Sequence, residues 1–206
     1  MQTTMAVGSL AALAEIVTHG ELLVVNASSD VVVLPTAAAF IGATEAAIEL
    51  SVIFEASGAH VEALMHIDRS SSDEPYFAQR LREADVVVLS DGSALHAKSV
   101  WHETPIGDAI RDAEFVIALG AVASVLGDTM IDPRGGAPTT GLGYRHGLVL
   151  ATSASDEQLS RTRTLLGDDE ILAVLEPSGV VHADGDHWRV VTGEVTTTRG
   201  HNAVEL

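Results

Sequence analysis

The strongest constraint on the fold is that short apolar runs alternate with longer stretches whose apolar residues have helical spacing. The run from Val31 to Leu34, for example, ends at Pro35 and is followed by such a stretch. The predicted strands here are residues 31–34, 61–67, 86–89 and 115–119, and the predicted helices are residues 43–56, 77–83 and 104–112. Strands and helices that alternate at this spacing are typical of parallel βαβ units. The pattern predicts an α/β fold, a three-layer α/β/α sandwich whose mostly parallel central sheet has residues 31–34, 86–89 and 115–119 as neighbouring inner strands.

The C-terminal part of the chain has a different pattern, which predicts a short β-hairpin region. A helix is predicted over residues 156–166, with Ser155 placed to cap its first turn and Gly167 to end it. The predicted strands are residues 171–175, 180–181, 188–191 and 195–197. The segment HADGDH, residues 182–187, places an Asp-Gly pair between two of these strands, which favours a hairpin turn. Its histidines and aspartates are also residue types that bind zinc, but we favour the hairpin and expect no metal site.

Composition excludes several classes of function. At 206 residues the chain is long enough for one domain, which we expect to span residues 1–206. Because it has no cysteine, disulfides, thiolate metal sites and cysteine nucleophiles are excluded. A net charge of −18 leaves no basic stripe to follow a phosphate backbone, so we expect no nucleic-acid partner. No apolar run approaches the roughly 18 residues of a membrane span, and we expect a cytoplasmic protein with no membrane contact and no cofactor.

Three segments follow predicted strands and are candidates for a binding cleft. They read LPTAAAF (residues 34–40), LSDGSALH (residues 89–96) and LGAVASVLGD (residues 119–128). In open parallel sheets, ligands bind beyond the carboxyl ends of the strands, so we expect these turns to converge at one edge. The candidate cleft residues are Pro35, Thr36, Ser90, Asp91, Gly92, Gly120, Ala121 and Val122.

Taken together and in this order, these segments resemble the peptidase S51 family, which includes cyanophycinase and the aspartyl dipeptidase peptidase E. The resemblance covers residues 31 to about 199, and its most specific match is DPRGGAPTTGLG, residues 132–143. It implies the class I glutamine amidotransferase-like fold and, for an intact member, serine peptidase chemistry. In this resemblance Asp91-Gly92 corresponds to a segment that is usually a Gly-Gly pair, and residues 119–128 correspond to the turn that carries the nucleophile.

The chain departs from the family pattern at the nucleophile turn, which normally reads Ser-Ala-Gly. On this sequence Ala121 falls on the nucleophile, Val122 on the alanine and Ala123 on the glycine. A methyl group cannot attack a carbonyl, and the chemistry needs a hydroxyl oxygen raised on a strained turn. Valine and alanine also suit a sharp turn poorly, so we expect a relaxed one. Ser124 lies almost one helical turn further on, where its side chain points elsewhere.

Other parts of the family's catalytic site are also missing. The family histidine follows a strand that here reads residues 147–150, and the chain continues with Ala151, Thr152 and Ser153. His146 precedes that strand, at its opposite end. Glu176 matches the third, acidic member of the triad, but an acid without its histidine has no imidazole to orient. The glycine-rich first loop of the family retains only Gly8.

The leading interpretation is a catalytically inactive S51-like homologue, a pseudoenzyme with a binding or assembly role. Expected partners are a peptide or small-molecule ligand in the vestigial cleft, and a homodimer or a heteromer with an active paralogue. Asp91 adds a carboxylate to the cleft, so we expect acidic ligands to be disfavoured. The alternative is an active serine-type peptidase or amide hydrolase for acidic peptides, which would use Ser90, Ser93, Ser124 or Ser153 with His96 or His146.

Overall fold

The computed structural model describes residues 2–19, 25–152 and 154–206. The strands of this part are β1 (Thr3–Val7), β2 (Asp30–Leu34), β3 (His60–Ala63), β4 (Val86–Leu89), β5 (Phe115–Leu119), β6 (Thr129–Ile131), β7 (Pro138–Thr140), β8 (Val149–Thr152), β9 (Ile171–Leu175), β10 (Val180–Asp184), β11 (His187–Thr192), β12 (Val195–Arg199) and β13 (Asn202–Ala203). The helices are α1 (Leu10–Thr18), α2 (Ala43–Glu55), α3 (Pro75–Glu83), α4 (Ala94–Trp101), α5 (Pro105–Asp112) and α6 (Asp156–Leu165).

The main sheet contains seven strands in the order β11-β10-β1-β5-β4-β2-β3. Strands β1, β5, β4, β2 and β3 are parallel, whereas β10 pairs with β1 in the antiparallel sense and β11 extends this edge. The three strands predicted as inner neighbours, β2, β4 and β5, lie side by side and parallel. That prediction is confirmed.

Both faces of the main sheet are buried. In β2, Val32 and Leu34 pack in one cluster with side chains of α3, α4 and α5, whereas Val31 and Val33 pack in a second cluster with side chains of α1 and α2. Successive residues of a strand point to opposite faces, so a strand covered on both sides must be apolar throughout. This explains the continuous apolar runs in the sequence and confirms the three-layer arrangement.

The C-terminal part adds the predicted hairpin and a second sheet. Strands β10 and β11 form an antiparallel pair in which Asp184 lies opposite His187, so the Asp-Gly turn is where the hairpin prediction put it. Strands β8 and β9 are parallel and form a separate four-stranded sheet with β12 and β13. Helix α6 begins after Ser155, whose side chain accepts a hydrogen bond from the backbone N–H of Gln158 in a capping box.

Several elements differ from their predicted limits. Strand β3 ends at Ala63, four residues earlier than predicted, because the chain turns inward there and the Thr36 hydroxyl donates to the backbone carbonyl of His66 (2.6 Å). Strand β8 starts two residues later than predicted and runs to Thr152. Strand β1 and helices α1 and α4 were not predicted. No helix in the described residues combines the length and apolar character needed to cross a membrane.

We predict that the buried His66 makes folding stability depend on pH. Its Nε2 lies 3.0 Å from the Ser72 hydroxyl, and its Nδ1 has no hydrogen-bond partner among the described residues. Burial lowers the pKa of His66 below the ordinary value of 6.5. The unfolded chain therefore binds a proton more readily than the folded chain, and this effect lowers the free energy of unfolding as the pH drops below 6.5.

His66→Phe removes this titration, so the variant should lose less stability than the parent protein between pH 7 and pH 5 in urea denaturation. For each protein, the difference between the free energies of unfolding at pH 7 and pH 5 is compared. The free energy at one pH is not used, because the substitution also alters the packing against Phe77. An equal loss of stability in both proteins would contradict the prediction.

Candidate functional site

The three turns that follow β2, β4 and β5 meet at one edge of the main sheet. The backbone N–H of Ser90 donates to the Leu34 carbonyl (3.1 Å), and that of Ser93 donates to the Ala37 carbonyl (2.8 Å). The Asp91 carboxylate accepts a hydrogen bond from the N–H of Ala121 (2.9 Å). The carboxyl ends of the strands thus bring the predicted cleft segments into direct contact.

The small residues of the first two turns allow this close approach. Gly92 has φ +143°, and a Cβ atom there would overlap the Ala37 carbonyl group. Thr36 is fully buried and follows Pro35 in a short 3₁₀ helix. The Thr36 hydroxyl donates to the backbone carbonyl of His66, so its proton is already used in a hydrogen bond within the protein.

The turn after β5 keeps one left-handed residue, which is Gly120 with φ +53°. A 3₁₀ helix spans Gly120–Leu126, and neither Ala121 nor Val122 has a positive φ. The residues for which a relaxed turn was expected thus have no left-handed backbone, and the positive φ falls on Gly120, where a glycine tolerates the conformation. The left-handed residue is therefore Gly120, one position before Ala121, and neither of these two residues carries a hydroxyl.

The Asp91 carboxylate occupies the space beside Gly120. Its Oδ1 accepts hydrogen bonds from the N–H groups of Gly92 (2.7 Å) and Ala121 (2.9 Å). A Cβ atom at Gly120 would overlap Cγ, Oδ1 and Oδ2 of Asp91. In hydrolases with a nucleophile on such a turn, the N–H of the following residue helps to form the oxyanion hole. Here that N–H already binds a carboxylate of the same chain.

The serine hydroxyls near the cleft do not form a catalytic pair. Ser93 caps helix α4 by accepting the N–H of His96 (3.2 Å), and Ser124 donates to the Ala121 carbonyl (2.8 Å). The Ser90 hydroxyl is buried without a partner in the described residues. Ser153 lies outside the described residues.

The candidate bases are engaged elsewhere. His96 Nε2 lies 2.8 Å from the Ile67 carbonyl oxygen, and the His96 ring packs edge-on against Phe40. His146 lies before the amino end of β8, where its Nδ1 is 2.8 Å from an Asp128 carboxylate oxygen. This hydrogen bond raises the pKa of His146 above 6.5. Within the described residues, no serine hydroxyl hydrogen-bonds to the imidazole ring of either histidine.

Glu176 and Gly8, the remaining predicted positions, contact each other through their backbones. Glu176 is exposed just after β9, and no ion pair joins it to a basic side chain within the described residues. Its carbonyl oxygen lies where a Cβ atom at Gly8 would be, so the single glycine of the first loop is required by this close contact. No group of three His, Cys, Asp or Glu side chains in the described residues is arranged to hold a metal ion.

Two cavities adjoin the turns. The smaller, of about 70 Å³, is lined by Ala121, Ser124 and Thr152 among others. The larger, of about 370 Å³, includes Ser90 and Asp91 together with residues that sequence reasoning missed: Ser9, Leu10, Glu45 and Glu49. Ser9 caps α1 and Leu10 is its first residue, whereas Glu45 and Glu49 lie in α2. Helix α1 follows β1, a strand that the sequence did not predict.

Comparison with solved structures identifies the class of fold. The chain matches a peptidase from an acI-B1 actinobacterium with a TM-score of 0.80 at 18% identity, over 100% of this chain and 94% of that one. It matches a peptidase E-like protein from Listeria monocytogenes EGD-e with a TM-score of 0.64 at 14% identity, over 97% and 98% of the two chains. No protein-family model matches the sequence, and neither does any curated protein.

The fold is therefore that of the peptidase E-like structures, with a class I glutamine amidotransferase-like sheet. This confirms the resemblance to the S51 family for the fold. At these identities the likeness concerns the fold alone and leaves the chemistry to be argued from the site.

We predict that Asp91 and Gly120 are energetically coupled because they share one space. Gly120→Ser should destabilise the protein by more than the roughly 1–2 kcal/mol that a left-handed φ costs a residue with a side chain. In an Asp91→Ala background the excess should disappear, giving a coupling free energy of about 1–3 kcal/mol in a double-mutant cycle.

The matched control is Gly185→Ser. Gly185 also has a left-handed φ, +60°, but a Cβ atom there meets nothing within 4 Å. Its cost should be that of the backbone conformation alone and should not change with Asp91→Ala. Additive effects of Gly120→Ser and Asp91→Ala in urea denaturation would refute the proposed overlap.

Proposed function

We propose that this chain is a catalytically inactive peptidase S51-like homologue, a pseudoenzyme whose cleft serves for binding. The observation that supports this best is the Asp91 carboxylate, which fills the space beside Gly120 and accepts the N–H of Ala121. A nucleophilic side chain at Gly120 would have to displace this carboxylate.

The electrostatics of the turn argue against acyl transfer. A tetrahedral intermediate needs free N–H donors directed at its developing negative charge. The N–H donors of Gly92 in the turn after β4 and of Ala121 in the turn after β5 already bind Asp91 Oδ1, and the carboxylate would repel an oxyanion placed nearby. In the part of the chain that the structure describes, no imidazole ring hydrogen-bonds to a serine hydroxyl of these turns, so no proton acceptor is in place there.

The cavity of about 370 Å³ favours a ligand-binding role over a role in assembly alone. Its volume falls within the range of about 300–1,000 Å³ that is usual for small-molecule pockets. Assembly into a homodimer, or into a heteromer with an active paralogue, is compatible with this role.

A second candidate function rests on Ser90, whose hydroxyl is buried at the cavity without a hydrogen-bond partner. An active serine-type hydrolase would need this or another hydroxyl to be deprotonated by a nearby base. No described histidine hydrogen-bonds to this hydroxyl, so we favour the inactive interpretation.

We predict that a fluorophosphonate probe will not label any serine stoichiometrically. Ala121→Ser should not create activity on an aspartyl dipeptide either. The new hydroxyl would lack a general base, whose contribution is about 10²–10⁴-fold. Labelling is read by intact-protein mass spectrometry and hydrolysis by release of the amino acids.

Ser90→Ala, Ser93→Ala and Ser124→Ala serve as matched variants for any labelling that does occur. Stoichiometric labelling that one of these changes abolishes would establish the active-hydrolase alternative. Substantial dipeptide hydrolysis by Ala121→Ser would show that a base is already in place, and would overturn the proposal.

A further inference from the structure

The larger cavity, which we call the Asp91 pocket, combines an apolar wall with an acidic rim. Its apolar lining consists of Leu10, Ala38, Ile41, Ala46, Leu50 and Leu119. Its polar lining consists of Ser9, Ser90, Glu45, Glu49 and Asp91, together with the backbone of Gly42. It opens at the carboxyl ends of β1, β2, β4 and β5, beside the turn described above. Among the described residues, no basic side chain is part of this lining.

The acidic groups of the Asp91 pocket have no cationic partner in the described residues. Glu45 and Glu49 are four residues apart on α2 and therefore project from the same face of the helix, where like charges repel. Neither forms a salt bridge with a basic side chain within residues 2–19, 25–152 and 154–206. A bound cation would reduce this repulsion.

Asp91 is held in a defined position while part of its carboxylate stays open to a ligand. Both of its backbone hydrogen bonds go to Oδ1, from Gly92 and Ala121. Its Oδ2 has no hydrogen-bond partner in the described residues. A carboxylate fixed through one oxygen loses little side-chain freedom when the other accepts a ligand donor, which favours binding.

Ser90 is an independent sign of an unfilled polar site. Its side chain is only 2% exposed, and its hydroxyl has no hydrogen-bond partner among the described residues. Buried polar groups almost always have a partner, so an orphaned hydroxyl in the wall of a cavity calls for one. A ligand group that can hydrogen-bond would supply it.

We propose that the Asp91 pocket binds a small organic cation in which an ammonium group is joined to a short aliphatic body. The ammonium group donates to Asp91 Oδ2 and to the rim carboxylates, and the aliphatic body packs against Leu10, Leu50 and Leu119. A single metal ion fits the pocket less well, because no three carboxylates or imidazoles in the described residues are arranged around one point. This inference rests on the proposed binding role of the cleft and specifies its ligand class.

Three probes of the same shape test the charge preference: isopentylamine, isopentanol and isovalerate. Binding to the full chain is measured by isothermal titration calorimetry at pH 7 and about 0.15 M salt, where long-range attraction is screened beyond about 8 Å. We expect the amine to bind at least tenfold more tightly than the alcohol, and isovalerate not to bind. Equal binding of amine and alcohol, or tighter binding of isovalerate, would overturn the inference.

Matched variants locate the binding. Glu49→Gln should weaken isopentylamine binding by about threefold, as expected for a partly exposed charge pair. Asp91→Asn keeps an oxygen for the two N–H donors and should also weaken binding. Glu55→Gln is the control, because Glu55 is exposed on the same helix outside the pocket and the net charge changes by the same amount. Equal weakening by Glu55→Gln would show attraction to the acidic protein as a whole and would refute the site.

The binding measurements and the labelling experiment test the ligand class and the inactive assignment separately. Loss of the cation preference with no fluorophosphonate labelling would reject only the ligand class. Stoichiometric serine labelling would reject the inactive assignment, whichever probe the pocket prefers.

Discussion

The parallel pairing of β1, β5, β4 and β2 holds every feature of the candidate site in place. Leu34 lies opposite Leu89, Leu89 opposite Ala118, and Val7 opposite Leu119, so these strands end nearly level with one another. Helices pack on both faces of this sheet and leave the row of strand ends as a natural opening. The turns that leave the strands are therefore forced into contact, and the chemistry of the cleft depends on which side chains those turns carry.

At this edge the residues at positions 91 and 120 are sterically complementary. Gly120 leaves a space beside the turn, and the carboxylate of Asp91 fills it while accepting N–H groups from both turns. The lack of a side chain at Gly120 is therefore what allows the Asp91 carboxylate to lie against this turn. Both backbone donors bind Asp91 Oδ1, and Oδ2 has no hydrogen-bond partner in the described residues.

The cleft that results has an acidic lining, on which the proposed cation site depends. Backbone N–H groups that could stabilise a negative charge are already in use, and the rim carries Glu45, Glu49 and Asp91. Within the described residues, Glu45 and Glu49 on α2 form no salt bridge, and the buried Ser90 hydroxyl has no hydrogen-bond partner, which is a cost to folding.

The sequence alone determined the fold class, because a strand buried on both faces must be apolar along its length and each helix must show its own spacing. It also located the Ser155 cap and the Asp-Gly hairpin, which depend on local hydrogen bonds and turn geometry. It missed β1, α1 and α4, and with them the contributions of Leu10 to the cavity. Only the tertiary structure decided that Gly120, and not Ala121, is the left-handed residue, since this depends on where β5 stops pairing with its neighbours. Only the tertiary structure placed Asp91 against that turn and Glu45 and Glu49 on the rim, because contacts between residues far apart in the chain leave no periodic signal in the sequence.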